Sequence, residues 1–101
     1  MNIQSKLEGT KATITVTGKL LVATADELDK AVSDLADKAV DFDLDLSKLE
    51  YTSSAGLRVI VGTQKLAAKR GGTMRLIDPT DDVMEVLEMT GLSNMLTIVR
   101  S

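Results

Sequence analysis

Apolar and polar residues alternate along this chain with two periods, and the changes of period mark its elements. Ile3 and Leu7 alternate loosely with polar residues, which predicts a first strand. Glu8-Gly9-Thr10-Lys11 reads as a turn. Beyond it Ala12, Ile14 and Val16 alternate with Thr13, Thr15 and Thr17, the pattern of a half-buried strand, close enough to the first for an antiparallel hairpin. Gly18 to Ala23 leads away from that hairpin. The period then becomes helical: Leu28, Ala31, Val32, Leu35 and Ala36 make one apolar stripe, and Asp29, Lys30, Asp34, Asp37 and Lys38 the opposite face. Thr24 and Glu27 have capping-box spacing with Thr24 as N-cap, so the first helix is predicted over about 25–38.

Val40, Phe42, Leu44 and Leu46 alternate with Asp41, Asp43, Asp45 and Ser47. One apolar and one acidic face predict a strand whose sheet is not covered by helices on both sides. The acidic row reads as solvated rather than as a cation site, with Asp45 singled out because it lies towards the strand's end. A second helix is predicted over about 54–70, with Leu57, Val59, Ile60, Val61, Leu66, Ala67 and Ala68 giving a broad apolar face. Gly62 reads as a point of close packing on the sheet. Lys69 and Arg70 suit the helix's negative end, and Gly71 its left-handed cap. Thr73 to Ile77 reads as a strand with Met74 and Leu76 on one face. Thr80, followed by Asp81 and Asp82, caps a third helix with a stripe of Val83, Val86 and Leu87 that ends at Gly91. Met84 and Met89 flank the stripe as core fillers. Leu96 to Val99 reads as a last short strand.

The predicted order is ββαβαβαβ. This is an α/β fold: a mixed sheet of four to five strands, parallel neighbours joined by right-handed crossovers, and helices mainly on one face. A length of 101 residues fits one domain spanning 1–101, with no internal repeat or linker.

Composition narrows the function. Aromatics are 2% of the chain, so the core is built from Leu, Val, Ile, Ala and Met. The same scarcity, with only Phe42 and Tyr51, excludes a stacking reader of single-stranded nucleic acid. A formal net charge of -3 argues against a basic nucleic-acid surface and a basic membrane anchor. The N-terminus lacks a signal-peptide pattern and no apolar run approaches membrane-spanning length, so the expectation is a soluble cytoplasmic protein. Without cysteine there are no disulfides or thiolate zinc sites. Without histidine there is no Ser-His-Asp catalysis and scarcely any nitrogen-ligated metal. Neither GxxxxGK[ST] nor GxGxxG is present. No enzyme activity, cofactor or metal is expected.

What remains is the stretch Tyr51-Thr52-Ser53-Ser54-Ala55-Gly56-Leu57, where a strand gives way to a helix. The first backbone N–H groups of a helix lack internal partners and favour an anion or phosphate. A serine here either caps the helix or carries a phosphate.

Asp45-Leu46-Ser47, followed by Tyr51 to Arg58, resembles the anti-anti-sigma factor family, the bacterial STAS domains. Gly18-Lys19-Leu20 before Thr24-Ala25 is similar to the family's first loop, and Val86 to Leu92 to its last helix and turn. The resemblance covers nearly the whole chain. It implies a protein that binds an anti-sigma factor which is also an ATP-dependent serine kinase, is released when a serine at the start of the second helix is phosphorylated, and is reset by a metal-dependent serine phosphatase. Aligned on Gly56-Leu57, the acceptor is Ser54. Ser53 takes the place of the family's Asp, and Leu21 stands where many members carry Asp. Ser53, Arg58, Thr24 and Asp45 are candidate partner contacts, and small Ala55 and Gly56 let a kinase approach. The second reading is a STAS-type domain acting as a structural or ligand-sensing subunit of a transport or signalling complex, with Ser54 only a cap.

Overall fold

Alternation is clearest in the second and third predicted strands, and these two lie at the centre of the sheet. The computed structural model describes residues 1–101. It contains β1 (Asn2–Glu8), β2 (Lys11–Leu20), α1 (Val22–Leu35), β3 (Asp41–Asp45), β4 (Leu49–Thr52), α2 (Ser54–Lys69), β5 (Met74–Ile77), α3 (Asp81–Met89) and β6 (Thr97–Val99), with a 3-10 turn at Leu92–Asn94. The main sheet runs β1-β2-β3-β5-β6. β1 is antiparallel to β2, and every other pairing is parallel, so the sheet is mixed as the sequence predicts.

There is one strand more than expected, and the order becomes ββαββαβαβ. β4 was hidden because four residues, Leu-Glu-Tyr-Thr, with only the ends buried, show no period. Its partner is also longer than its alternation suggests. β3 covers β2 only from Lys11 to Thr15, and the far end of β2, Gly18 to Leu20, pairs with β4 after a register shift between Gly18 and Lys19.

One face of the sheet carries Ala12, Ile14, Val16, Phe42, Leu44 and Leu76, all fully buried. They form a single core with Leu28 and Val32 of α1, Leu57 and Ile60 of α2, and Val83 and Leu87 of α3. α2 ends as its glycines require. Gly71 has φ +80°, and the Gly71 and Gly72 N–H groups donate to the Ala68 and Ala67 carbonyls at 3.1 and 2.8 Å, closing the last turn.

Three local readings need correction. α1 begins at Val22, with Leu21 at the N-cap, because the Thr24 hydroxyl reaches back to accept from the Leu21 N–H at 2.8 Å; Thr24 therefore sits inside the first turn. Gly62 has no packing role: a Cβ there would meet nothing within 4 Å. A mid-helix glycine costs roughly 0.5–1 kcal/mol relative to alanine, and here no contact offsets it. Met89 is 79% exposed and fills no core, whereas Met84 does pack against it.

The other sheet face is polar, and one of its acids is not solvated. Asp43 is buried, accepting from Arg75 Nε and Nη2 at 2.9 and 2.7 Å and pairing with Lys11 at 2.9 Å. The Arg75 hydrogen bonds, and after burial's opposing effect those of Lys11, hold the carboxyl below its ordinary range. A carboxylate with a lowered folded pKa stabilises the fold above its unfolded pKa, and that contribution is lost as pH falls through the folded value. Asp43→Asn should therefore cost about 1–2 kcal/mol at pH 7, since the hydrogen bonds are charge-assisted but both cations are partly exposed. The gap between variant and wild type should narrow progressively as pH falls below about 4. Urea titrations at pH 7 and pH 3 check this; a gap of equal size at both would refute it.

Candidate functional site

The junction of β4 and α2 is built from short-range necessities. Leu20, the last residue of β2, accepts from the Ser53 N–H at 2.7 Å and so fixes where β4 ends. Ser53 is extended (φ -87°, ψ 174°), and its Oγ accepts from the Gly56 N–H at 3.3 Å, while its carbonyl accepts from the Leu57 N–H at 3.0 Å. Ser53 is thus the N-cap of α2, one of the best residues for that place.

Ser54 is the first helical residue. It is exposed, and its hydroxyl has no hydrogen-bond partner in the chain. The two adjacent serines hold different posts: one hydroxyl is occupied, the other is free. The N–H groups of Ser54 and Ala55 precede the first helical bond at the positive end of a 16-residue helix.

Gly56 does not open the site to a visitor, as the sequence suggested. It is buried, and a Cβ there would collide with Thr52 Oγ1 and lie 2.8 Å from Leu20 Cβ. Its smallness seats the first turn of α2 on β2 and β4. Behind that turn, the Thr80 hydroxyl caps α3 by accepting from Val83 N–H at 3.4 Å and donates to the Leu49 carbonyl of β4 at 2.9 Å.

The other candidates spread around this point. Arg58, one turn on from Ser54, is exposed and forms no ion pair. Thr24 is partly buried, with its hydroxyl also donating to the Lys19 carbonyl at 2.8 Å. Asp45 accepts from the Ser47 N–H and hydroxyl at 3.0 and 2.8 Å. It is in register with Thr15, whereas the serine turn follows the Leu20–Thr52 pair five residues further along β2. That is roughly 16 Å of strand, so Asp45 and Ser54 are not brought together.

Three residues at this surface went unmarked in the pattern. Leu21, Val22 and Tyr51 are 43%, 75% and 47% exposed. Leu21 follows the residue that bonds Ser53, and Tyr51 pairs with Lys19 two residues before it. Single exposed apolar side chains are ordinary, but these three lie on the segments that adjoin the serine turn, and Val22 shares a groove with Ala55. Leu21 departs from the family's Asp, which was the one signal available.

The profile of the family described as "Mlab, STAS domain" matches residues 3–99. The anti-sigma F factor antagonist of Paenibacillus polymyxa is 32% identical over 108 residues, covering 97% of this chain and 87% of that protein. The anti-sigma-B factor antagonist of Bacillus subtilis (strain 168) is 28% identical over 98 residues, covering 97% and 90%. The solved structure of the anti-sigma factor antagonist SpoIIAA in its unphosphorylated form superimposes with a TM-score of 0.88 over 99% of this chain and 88% of that one; at 16% identity it speaks for the fold alone.

Proposed function

Since the chain belongs to the STAS domain family, we propose that it is an anti-sigma factor antagonist: a binding module, not an enzyme, switched by phosphorylation of Ser54. Unphosphorylated, it binds an anti-sigma factor that is also a serine kinase. The Ser54 Oγ attacks the γ-phosphorus of the kinase's ATP, its proton passes to a base of the kinase, and ADP leaves. A serine phosphatase hydrolyses the ester and restores the hydroxyl.

The observation that carries this reading is the division between the two serines. Ser53 is held as the helix cap, and Ser54 stands beside it, exposed and unbonded. Phosphate adds about -1.5 to -2 charge, which the start of α2 accommodates. The partner does not. The charge arrives amid Leu21, Val22 and Tyr51, and burying it against an apolar interface costs the complex heavily. Arg58 lies four residues on, on the same helix face, where a phosphate on Ser54 would draw it from any partner contact. Ser53 and Thr24 then act as supports of the docking surface, and Asp45 lies outside it.

Phosphopeptide mapping after incubation with the cognate kinase and Mg-ATP tests the assignment. Label is expected on Ser54, and none on Ser54→Ala. Ser53→Ala should still be labelled, at a stability cost of about 1 kcal/mol for the lost cap. Ser54→Asp should stay folded and bind the kinase at least tenfold more weakly, about 1.4 kcal/mol. Label confined to Ser53, or full-strength binding by Ser54→Asp, would overturn the reading.

A further inference from the structure

α1 and α2 pack side by side and leave an open groove of about 420 Å³ between them. Ala55, the residue after Ser54, lies at one end of it, with Val22, Ala25 and Val59 along its walls. Gly62 lies in it too, two turns along α2 from Ser54. Two features of this groove are unexplained by the fold.

The first is Gly62 itself. It is exposed, sits in the interior of a helix and has open space where its Cβ would be. A residue with a side chain would make a better helix at no steric expense. With no side chain at this position, the groove stays open here. The second is charge. Asp26 and Asp29 of α1 line the groove, exposed, and neither takes part in an ion pair, although Arg58 lines the same groove. An apolar floor beside two unpaired carboxylates is complementary to an apolar side chain flanked by a cation.

We propose that the anti-sigma factor seats an aliphatic side chain in this groove, over Gly62, with a neighbouring lysine or arginine paired to Asp26 and Asp29. The inference rests on the antagonist reading above. It extends the docking surface from the serine turn, through Ala55 and Val22, along both helices. The groove then supplies partner choice while the serine supplies release.

The test uses the full chain and, as probe, the kinase-type anti-sigma factor encoded in the same genome, purified with ADP. Gly62→Ala and Gly62→Gln should both melt higher than wild type, by about 4 °C for a domain of this size. Gly62→Gln, whose side chain fills the groove, should bind at least tenfold more weakly. The double variant Asp26→Lys and Asp29→Lys should lose at least tenfold as well, with the loss shrinking as salt rises. Stability and affinity thus move in opposite directions at Gly62, which a purely structural residue would not do. Wild-type affinity in Gly62→Gln, or a melting point below wild type, overturns the groove proposal and leaves the antagonist reading intact. No binding by the wild-type chain overturns both.

Discussion

Gly72→Ala is expected to cost at least about 3–4 kcal/mol, a large fraction of the 5–15 kcal/mol that holds a domain of this size together. A Cβ at Gly72 would fall onto the Val40 carbonyl and lie 2.9 Å from Asp41 Oδ1. Neither can retreat. The Asp41 carboxylate is already held by the Thr73 N–H at 2.9 Å and the Thr73 hydroxyl at 3.2 Å, and the Phe42 N–H donates to the Thr73 carbonyl at 2.8 Å. The crossover from α2 to β5 is pressed against the start of β3, so any relief must pull β5 away from β3. The neighbouring glycine is the control. At Gly71 a Cβ meets nothing within 4 Å, but φ is +80°, so Gly71→Ala should cost only the left-handed penalty of about 1–2 kcal/mol. Urea denaturation of both variants decides it. A Gly72→Ala chain within about 1 kcal/mol of wild type would show that the crossover yields freely.

Gly56→Ala should be the second most damaging change and, on the proposed phosphorylation of Ser54, should impair that step more than the fold. Its Cβ would be driven into Thr52 Oγ1 and towards Leu20 Cβ, so the first turn of α2 must lift from β2 and β4. Overpacking of this kind costs about 1–3 kcal/mol. Lifting the turn also draws the Gly56 N–H away from the Ser53 Oγ and moves Ser54 from its position. The expected result is a chain that is folded at 25 °C, with phosphorylation by the cognate kinase slowed at least tenfold, about 1.4 kcal/mol of barrier. Ser53→Ala separates the two causes, since it removes the cap without the collision. If Gly56→Ala is labelled as fast as wild type, the serine turn does not depend on this seat.

The layers of the fold were legible because they follow from period. Ala12, Ile14 and Val16, and then Phe42 and Leu44, declare a buried face by alternating, and all five are fully buried. Thr80 announces α3, which begins at Asp81. What failed was whatever depends on where a side chain goes rather than on its type. Thr24 had the composition of a cap, but its hydroxyl turns back to Leu21 from inside the helix. Gly62 and Gly56 look alike in a helix pattern, yet one faces open space and the other the wall of β2. Asp43 looked like one of three solvated acids until the register placed Arg75 beside it, 32 residues away. At the site, two serines and their place were visible; which hydroxyl was already taken was not, because that depends on one backbone angle.

The edges of the sheet bear on how such a protein can be used. In the proposed antagonist role the chain would act by occupancy and be present in amounts comparable to its target, so its tolerance of crowding with its own copies matters. Open strand edges invite self-pairing. Here one edge, β6, is three residues long, and the other, β1, carries Lys6 and Glu8, whose charged ends meet at 3.6 Å in solvent. The uncovered face between those edges is closed to apolar stacking by the Lys11–Asp43–Arg75 cluster. Neither of these edges offers a neighbouring copy a long apolar strand to extend, and β4, which pairs only with β2, is four residues long with its middle two exposed, so self-pairing through the sheet is disfavoured.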